Sequence, residues 1–361
     1  MKKVTGRVIA ITIVVLLGLA LPISYSETPG DLSIMNESDD IGPIPQDSLG
    51  NYEVAVGDGH THTNHSSGKT TVTENVAKAK ERSLNWIAIT DHKTVSAKTE
   101  CKAETTSDFI CVVGDEVSTS QGHVLAWGIE NEVWWGLNAS HTMNHIFEDI
   151  HKQGGLAVIA HPFAPSPDDY DFFGTYDAFD AIEIYHGYAG FNNFALSTDM
   201  DELALSKWED YLNSGWRKTA VGDSDCHNAS NLPDGGDLTK RWGAIGYPRN
   251  ILYVKELSLR GIQETVRSGR LYITDGPELN FTVSDKILGE TFYSDVPVTL
   301  TINVSGIATT SSDLNVMKNG TQIYTQSLST GPFSYSFTYP ANTDSWFRAE
   351  IRNPTLINGE I

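Results

Sequence analysis

Three histidines lie within six positions of the stretch GDGHTHTNHSSG (residues 57–68), in which Asp58 precedes His60, His62 and His65. Residues i and i+2 of an extended strand face the same side, so the rings of His60 and His62 can converge on one point. Imidazole is the commonest metal ligand in proteins, and two converging rings favour a metal site. The alternative is a polar loop in which histidines cluster by chance, and the rest of the chain decides between the two.

More histidines and carboxylates follow the short apolar stretches that predict buried strands. In a parallel barrel the carboxyl ends of the strands share one face, where active sites assemble. Residues scattered over a surface would have no reason to obey this rule, so the pattern favours a single site. The candidates are Asp91 and His92 after WIAIT, Asp115 and Glu116 after FICVVG, His161 after GLAVIA, Glu183 within AIEIYHG, and Asp225 and His227 after TAVG.

The types of these residues indicate the chemistry of the site. Imidazoles and carboxylates without a cysteine cage suit a hydrolytic centre for Mn, Zn or Fe and argue against a structural zinc site. The candidates outnumber the ligands of one ion. We therefore expect two or three divalent metal ions that share a carboxylate bridge and activate a water molecule.

Apolar strands alternate with helices as far as about residue 277, which predicts an α/β fold with a mostly parallel sheet or barrel. The predicted helices cover 73–85 with Thr73 as N-cap, 142–153, 201–215 and a stretch near 258–268. After Gly276-Pro277 the pattern becomes strictly alternating, with an Asn319-Gly320 hairpin turn. This part predicts a small all-β sandwich of immunoglobulin-like type.

The N-terminus has a basic start, Lys2, Lys3 and Arg7, followed by the apolar run 8–23. This pattern is typical of an export signal, and an uncleaved N-terminal membrane anchor is the alternative. We expect the protein to be secreted or anchored at the outer face of the membrane. The predicted segments are 1–26 as signal peptide or anchor, 27–50 as linker, 51–277 as the α/β domain and 278–361 as the β-sandwich.

The amino-acid composition indicates which kinds of partner the protein can bind. The 361 residues carry a formal net charge of −21, which repels phosphate backbones, so we expect no nucleic-acid binding.

Of the three cysteines, Cys101 and Cys111 bracket a polar segment and can close a disulfide loop outside the cell. Cys226 is then free, either as a small buried side chain or as a thiolate ligand.

The motifs GDGHTHTNHSSG, AITDHKT, VGDEVST, GHVLAWG, AVIAHPF, DAIEIYHG and VGDSDCH resemble, in order, those of the PHP (polymerase and histidinol phosphatase) superfamily. IGYPRNILYV and SGRLYITDGP are similar more narrowly to its CehA/McbA branch of metal-dependent hydrolases. The resemblance covers roughly residues 52–280. It implies a distorted (β/α)7 PHP-type barrel that carries a two- or three-metal centre.

The resemblance also implies roles for single residues. His60, His62 and Asp225 resemble ligands of a first ion, Glu116 resembles the bridging carboxylate, His123 and His161 resemble ligands of a second ion, and His92 and His227 resemble ligands of a third. Many relatives have an aspartate for the third ion where this chain has Ser67. His65 is then either a substitute ligand or a residue outside the site.

Other polar residues are expected around the ligands. Asp58 and Asp91 would orient histidines without binding metal, as carboxylates near metal sites commonly do. His186 would line the pocket or have a structural role. Lys93 and Arg249 are the candidates for holding an anionic oxygen of the substrate.

These features predict an exported metal-dependent hydrolase whose substrate is a small-molecule ester, first of all a phosphate ester. The same metal centre would serve a carbamate or carboxyl ester hydrolase, because metal polarisation acts on C=O as well as on P=O. A third hypothesis is a non-catalytic exported binding protein, with the β-sandwich attached to a surface glycan or protein. A complete ligand set argues against that third hypothesis.

Overall fold

The computed structural model describes residues 6–10, 50–165, 168–187, 194–230, 243–307, 312–340 and 343–352, with the backbone alone for 6–10 and 194–199. The chain divides into two compact units. One spans Tyr52–Ser268, and the other combines Gly269–Ile361 with the N-terminal residues as far as Asn51.

The elements follow one another in an alternating order up to α5 and as strands alone afterwards. Up to α5 they are β1 (Gly6–Ala10), β2 (Glu53–Asp58), α1 (Val72–Glu81), β3 (Trp86–Ile89), α2 (Lys98–Glu104), β4 (Ile110–Thr119), β5 (Gly122–Trp127), α3 (Met143–Lys152), β6 (Leu156–Ile159), β7 (Ala181–His186), α4 (Phe194–Asn213), β8 (Thr219–Asp223), β9 (Arg249–Val254) and α5 (Leu259–Ser268). The remaining strands are β10 (Leu271–Thr274), β11 (Glu278–Val283), β12 (Thr291–Ser294), β13 (Val298–Ser305), β14 (Ser312–Lys318), β15 (Thr321–Leu328), β16 (Phe333–Tyr339) and β17 (Ser345–Arg352).

Within the unit Tyr52–Ser268, eight strands in the order β9-β2-β3-β4-β5-β6-β7-β8 form the sheet that carries the site. β2, β3, β4, β6, β7 and β8 run in one direction, whereas β5 and β9 run in the opposite one. The expected mixed α/β fold is confirmed, but the alternation is less regular than a (β/α)7 repeat, because β4 turns directly into antiparallel β5.

The sheet is nearly closed between β8 and β9, where a side-chain amide makes the hydrogen bonds that a neighbouring strand's backbone would otherwise make. The Asn250 side chain of β9 accepts a hydrogen bond from Gly222 N at 3.0 Å and donates one to Gly222 O at 2.9 Å. An amide group offers the same donor and acceptor as a peptide unit, so it continues the ladder across the gap.

Two buried indoles fill the space beside β2. Trp86 and Trp127 are almost fully buried, with ring centroids 5.7 Å apart. A Cβ atom at Gly57 would lie 2.1 Å from the Trp86 ring, and one at Gly59 would lie 2.0 Å from the Trp127 ring. The glycines of the GDG stretch are therefore required by packing, and they let β2 approach these rings closely before the histidines begin.

The helices α3 and α5 begin close to where the sequence predicted, whereas α4 begins at Phe194, seven residues before the predicted start at 201, and the cap of α1 needs a correction. Its N-cap is Thr71, whose hydroxyl accepts from Glu74 N, while the Glu74 carboxylate accepts from Thr71 N; Thr73 lies inside the helix. This capping box satisfies donors that the first turn leaves free. Sequence analysis missed α2, a seven-residue helix in a polar segment.

The C-terminal part contains a five-stranded sheet, β12-β1-β17-β14-β15, and a three-stranded sheet, β11-β13-β16. Asn319 and Gly320 have φ angles of 50° and 79° in the tight turn between β14 and β15, as the sequence predicted. Aromatic rings connect the two sheets, with Tyr324 of β15 5.3 Å from Phe337 of β16. The predicted change to strands alone in this part is confirmed, and the immunoglobulin-like sandwich stays a prediction.

Cys101 and Cys111 form the expected disulfide bond, and Cys226 is free and buried. Within the part of the chain that the structure describes, no helix has the length and hydropathy needed to cross a bilayer. Of the predicted signal or anchor, residues 6–10 are described, and their backbone forms β1. The rest of that segment and the linker up to residue 49 lie outside the described residues.

Candidate metal centre

The site lies where the parallel strands end, as the sequence pattern predicted. His60 and His62 follow β2, His92 follows β3, and Glu116 lies in the second half of β4. His161 follows β6, Glu183 and His186 lie in β7, and Asp225 and His227 follow β8. His123 comes from the beginning of antiparallel β5, where it pairs with Ser118 of β4. A strand that runs backwards begins at the edge where its neighbours end, which explains how His123 reaches the same site.

Glu116 is at the centre of the site. Its carboxylate is buried and contacts five imidazole rings from four different segments of the chain. The contacts are His60 Nε2 at 3.4 Å, His62 Nε2 at 3.3 Å and His92 Nδ1 at 2.8 Å from Oε2, and His123 Nδ1 at 2.7 Å and His161 Nε2 at 3.1 Å from Oε1. Such a carboxylate is placed to bridge two ions.

Asp225 faces the same rings from the opposite side. Its Oδ1 atom lies 3.3 Å from His60 Nε2 and 2.8 Å from His62 Nε2, and its Oδ2 atom lies 3.3 Å from His186 Nε2. His227 Nδ1 lies 3.5 Å from Oδ1. His60 and His62 thus each point a nitrogen atom between two carboxylates.

The polar atoms at the centre lack hydrogen-bond partners although they are buried. His60 Nε2, His62 Nε2, Glu116 Oε2 and Asp225 Oδ1 are within a few ångströms of one another, yet none makes a hydrogen bond of acceptable geometry. Unpartnered buried polar groups are costly, and in native proteins they call for an explanation such as a bound ion. The donor set and its orphaned atoms therefore fit divalent cations.

Four groups of three side chains bring their ligand atoms within 4.8 Å of one another. The groups are His62 with His92 and His227; His60 with Glu116 and His161; His60 with His186 and Asp225; and His92 with Glu116 and His123. These nine residues are called the ligand cluster below. Because the groups share members, they describe adjoining positions for more than one ion.

The two carboxylates of the ligand cluster have lowered pKa values. Burial by itself would raise the pKa of Glu116, but the charges of His60 and His92 outweigh burial and hold that pKa well below its ordinary value. For Asp225 the burial effect is likewise outweighed by the charge of His60 and the hydrogen bond with His186, so its pKa is also well below the ordinary range. The lowered pKa values favour the ionised form of both carboxylates, which is the form that binds cations.

The histidines differ among themselves. Burial would lower the pKa of His60, but Asp225 and Glu116 raise it well above the ordinary value. For His62, burial dominates and lowers the pKa to about 4 despite the contact with Asp225. For His123, the attraction of Glu116 overcomes burial and raises the pKa to about 9. Histidine binds metal in its neutral form, so cations and protons compete for these rings.

Further carboxylates position the ligands without contacting the centre. Glu183 lies 3.2 Å from His60 Nδ1 and accepts a hydrogen bond of 2.6 Å from His161 N. Asp58 accepts from His60 N, and Asp91 accepts from Thr63 N and from the Thr63 hydroxyl. The last two therefore hold the backbone of the histidine loop, which agrees with their expected positioning role.

His65 does not join the ligand cluster. Its Nδ1 atom lies 2.9 Å from Ser96 Oγ and its Nε2 atom 3.0 Å from Glu100 Oε1, near the surface beside α2. The expectation that His65 replaces the missing aspartate at Ser67 finds no support in this placement. His62, His92 and His227 form the remaining group without it.

The two cations expected at the site are placed differently from one another. Lys93 directly follows His92, and its ammonium lies 4.0 Å from the centroid of the Trp135 ring. Arg249 instead donates from Nε to Gly246 O at 2.9 Å and from its guanidinium to Arg82 O at 3.3 Å. In the structure the Arg249 guanidinium therefore stabilises a backbone turn and does not face a position for an anion.

Cys226 is not a ligand. Burial raises the pKa of its thiol to about 12, and it packs in the apolar core with Leu84 and Ile245. It is the small buried side chain that the sequence allowed.

Sequence reasoning understated one residue and missed the contact of another. His186 was expected to line the pocket, yet it belongs to one of the four ligand groups, because an irregularity between Glu183 and Tyr185 brings both Glu183 and His186 to the site. For Asp168 the sequence indicated only that its acidic, aromatic loop, residues 168–180, borders the pocket, whereas its Oδ1 atom lies 3.2 Å from His123 Nε2. No local pattern could have revealed a contact across 45 positions.

Three residues of the site have backbone angles that are uncommon for residues other than glycine. The φ angles are 56° at Lys93, 25° at His161 and 49° at Asp225. Such conformations cost of order 1–3 kcal/mol each and persist where surrounding contacts impose them. Strain at two members of the ligand cluster, and at the residue that follows a third, is typical of a functional site.

Comparisons with known proteins agree with this geometry. The model of the PHP domain matches residues 58–188, which contain seven of the nine residues of the ligand cluster. An uncharacterized protein of Methanocaldococcus jannaschii is 32% identical over 129 residues, which are 35% of this chain and 73% of that protein. The chain belongs to the PHP superfamily.

The solved structures to which this chain is similar are more distant in sequence. A two-domain protein from Bacteroides vulgatus that contains a predicted PHP-like metal-dependent phosphoesterase is 14% identical, with a TM-score of 0.48 over 84% of this chain and 91% of that one. An amidohydrolase from Chromobacterium violaceum is 18% identical, with a TM-score of 0.37 over 54% of this chain and 97% of that one. At such identities neither similarity assigns an activity to this chain.

Proposed function

We propose that this protein is an exported metal-dependent hydrolase that cleaves small phosphate esters. The observation that carries the proposal is the ligand cluster, in which four buried ligand atoms lack hydrogen-bond partners at the shared edge of the strands. A protein that only binds a surface partner has no need of such a cluster. Ser67 in place of an aspartate is the one feature that favours a decayed site, but such a site would lose its histidines first, and here seven histidines remain together.

The ligand cluster would hold two or three divalent ions, with Glu116 between them. When bound, such ions supply positive charge to an anionic ester and lower the pKa of a water molecule. The chain's own contribution is orientation, since Glu183 fixes the His60 ring and the backbone of His161. Mn, Zn and Fe all accept this donor set.

Lys93 is the side chain that we assign to the substrate anion. It directly follows His92, and among the described residues no carboxylate forms an ion pair with its ammonium, which lies on the Trp135 ring. In a chain with 46 acidic and 25 basic residues, a cation without a carboxylate partner beside a metal centre suits an anionic oxygen.

The finer assignment is to the CehA/McbA branch, on the stretches IGYPRNILYV and SGRLYITDGP. This branch brings in the alternative of a carbamate or carboxyl ester, which the ligand cluster would serve equally. Export is supported by the basic and apolar N-terminus and by the Cys101–Cys111 disulfide bond, since such bonds persist mainly outside the reducing cytosol.

The test combines metal content with turnover. The full chain is purified without chelator, its metal is measured by elemental mass spectrometry, and p-nitrophenyl phosphate is assayed beside a p-nitrophenyl carbamate. We expect two or three equivalents of metal and faster hydrolysis of the phosphate. The double variant His60→Ala/His62→Ala should lose both metal and turnover. His151→Gln, a histidine bonded to Asp180 on the surface, is the matched control that should keep both.

Two results would contradict the proposal in different ways. A chain that binds no metal even after reconstitution with Mn²⁺, Zn²⁺ or Fe²⁺ would overturn the hydrolase. A metal-loaded chain that cleaves only the carbamate would keep the hydrolase and replace the substrate class.

A further inference from the structure

The loop 162–180 contributes a carboxylate to the outer side of the ligand cluster. His123 Nδ1 faces Glu116 Oε1 at 2.7 Å, so its other nitrogen, Nε2, points away from the centre. There it meets Asp168 Oδ1 at 3.2 Å. A histidine that binds metal through one nitrogen commonly gives its other N–H to a carboxylate, which fixes the ring and increases its basicity.

The approach of this loop to His123 depends on Gly122. A Cβ atom at Gly122 would lie 2.7 Å from Tyr170 Cα and 2.8 Å from Asp169 O, distances that real side chains do not tolerate. The residue next to His123 therefore has no side chain, and the backbone beyond Asp168 lies directly against it. Gly122 also has a φ angle of 107°, which other residues rarely adopt.

The segment that carries Asp168 is also held in place at Tyr170. Tyr170 N donates to Pro162 O at 2.9 Å, and the Tyr170 hydroxyl donates to Tyr176 O at 2.7 Å. The Tyr170 ring is buried against other aromatic rings, with Phe173 at 4.8 Å. Asp168 is thus attached two residues away from a fixed point, so its carboxylate is held near His123.

From these contacts we infer that Asp168 is a positioning residue that sets the metal affinity of the group formed by His92, Glu116 and His123. The inference rests on the proposed metal centre and deepens it. It also connects the segment 168–180 to one ion position, because Asp168 in that segment contacts one of the residues of that position. Asp168 acts through His123 and touches neither the other ligands nor the centre in the described contacts.

The experiment measures Zn²⁺ binding to the full chain by calorimetry and by competition with a chromophoric chelator, without substrate. Asp168→Asn should weaken one equivalent by about 10–100-fold and leave the others unchanged. Asp169→Asn, which removes the neighbouring carboxylate, is the matched control and should bind as the wild type does. Asp168→Glu keeps a carboxylate and should recover part of the lost affinity.

A second comparison tests whether Asp168 acts through His123. In a His123→Ala background, Asp168→Asn should cause no further loss, because the ring that it orients is gone. Additive losses in the double variant would overturn the inference, and so would equal affinities for Asp168→Asn and Asp169→Asn. If the wild-type chain binds Mn²⁺ or Fe²⁺ but no Zn²⁺, the same variants are compared with the ion that binds. A wild-type chain that binds none of the three is a separate outcome, since it contradicts the proposed function itself.

Circular dichroism shows whether Asp168→Asn remains folded. If it does not, Gly122→Ala tests the same contact with the carboxylate intact, since the added methyl group should displace the loop from His123 and weaken the same equivalent. Unchanged affinity in a folded Gly122→Ala variant would contradict the role given to this contact.

Discussion

The protein buries two clusters of charged side chains, and the free-energy cost of burying charge is offset differently in each. In β17, Arg348, Glu350 and Arg352 are almost fully buried, and Glu350 accepts hydrogen bonds from both guanidinium groups. In the ligand cluster, Glu116 and Asp225 face imidazole rings, and central atoms stay without partners. In the first cluster both carboxylate oxygens of Glu350 accept hydrogen bonds from guanidinium groups, whereas in the second the central carboxylate atoms lack such donors and suit positive charge from outside.

Both clusters use the same spacing on a strand. Glu350 is two residues from each arginine, as His60 is from His62, so each set shares one face of an extended segment. The difference lies in residue type. Guanidinium forks match carboxylates geometrically and complete their hydrogen bonding, while imidazoles with free lone pairs leave room for a cation. This comparison predicts how each cluster responds to change.

The largest effect is expected at the centre of the ligand cluster. Glu116→Gln removes the charge of the carboxylate that contacts five histidines, so metal content and turnover should fall by more than about 100-fold, the upper end of the cost of losing an outer positioning partner. Elemental analysis and the phosphatase assay measure both. Full metal content in this variant would contradict the idea that the ligand cluster, unlike the charged cluster of β17, relies on bound cations.

Glu350→Ala should be the most destabilising change in the C-terminal part. It removes the buried carboxylate to which both guanidinium groups donate, and breaking a buried ion pair in this way costs about 3–5 kcal/mol. Urea unfolding of the full chain, followed by a probe in this part, measures the loss. A loss below about 1 kcal/mol would show that solvent or other groups already compensate the arginines.

Glu183→Gln should weaken metal binding more mildly than Glu116→Gln. The amide still accepts from the backbone of His161, but it no longer carries the charge that orients His60. We expect a loss of about 10–100-fold in affinity for one equivalent. Calorimetric titration with Zn²⁺ provides the measurement, and an affinity equal to that of the wild type would mean that Glu183 only supports the backbone.

The pH dependence of stability should separate the clusters further. The charges of Arg348 and Arg352 outweigh burial and lower the pKa of Glu350. The folded pKa is below the unfolded one, so this group stabilises the fold above the unfolded pKa and loses that contribution as pH falls through the folded pKa. Glu350→Gln should therefore flatten the acid limb of the stability curve, measured by thermal unfolding between pH 3 and about pH 6. An unchanged acid limb would contradict this.

The smallest effect is expected at His65. Its contacts with Ser96 and Glu100 lie near the surface, and exposed pairs contribute about 0.2–1 kcal/mol. His65→Ala should keep the full metal content and lose at most about 1 kcal/mol of unfolding free energy. Loss of one metal equivalent would place His65 among the ligands after all.

Local patterns predicted much of the scaffold and many of the ligands. The apolar runs before His92 and His161 became β3 and β6, because short buried strands are readable from composition alone. The cap of α1 was misplaced by two residues, since Thr71 and Thr73 both suit the position and only the partner Glu74 decides. Likewise α2 was missed, because its polar sequence has no apolar periodicity.

The sequence by itself determined that His60 and His62 point the same way, that carboxylates and imidazoles follow the strands, and that the chain changes from α/β to all-β near Gly276. These are local properties, set by the period of two in a strand and by apolar composition. Only the tertiary structure decided that β5 runs backwards to present His123, that a bulge in β7 turns His186 inward, and that His65 faces α2 instead of the centre. Each of those outcomes depends on contacts between segments far apart in the chain, and no short stretch of residues encodes them.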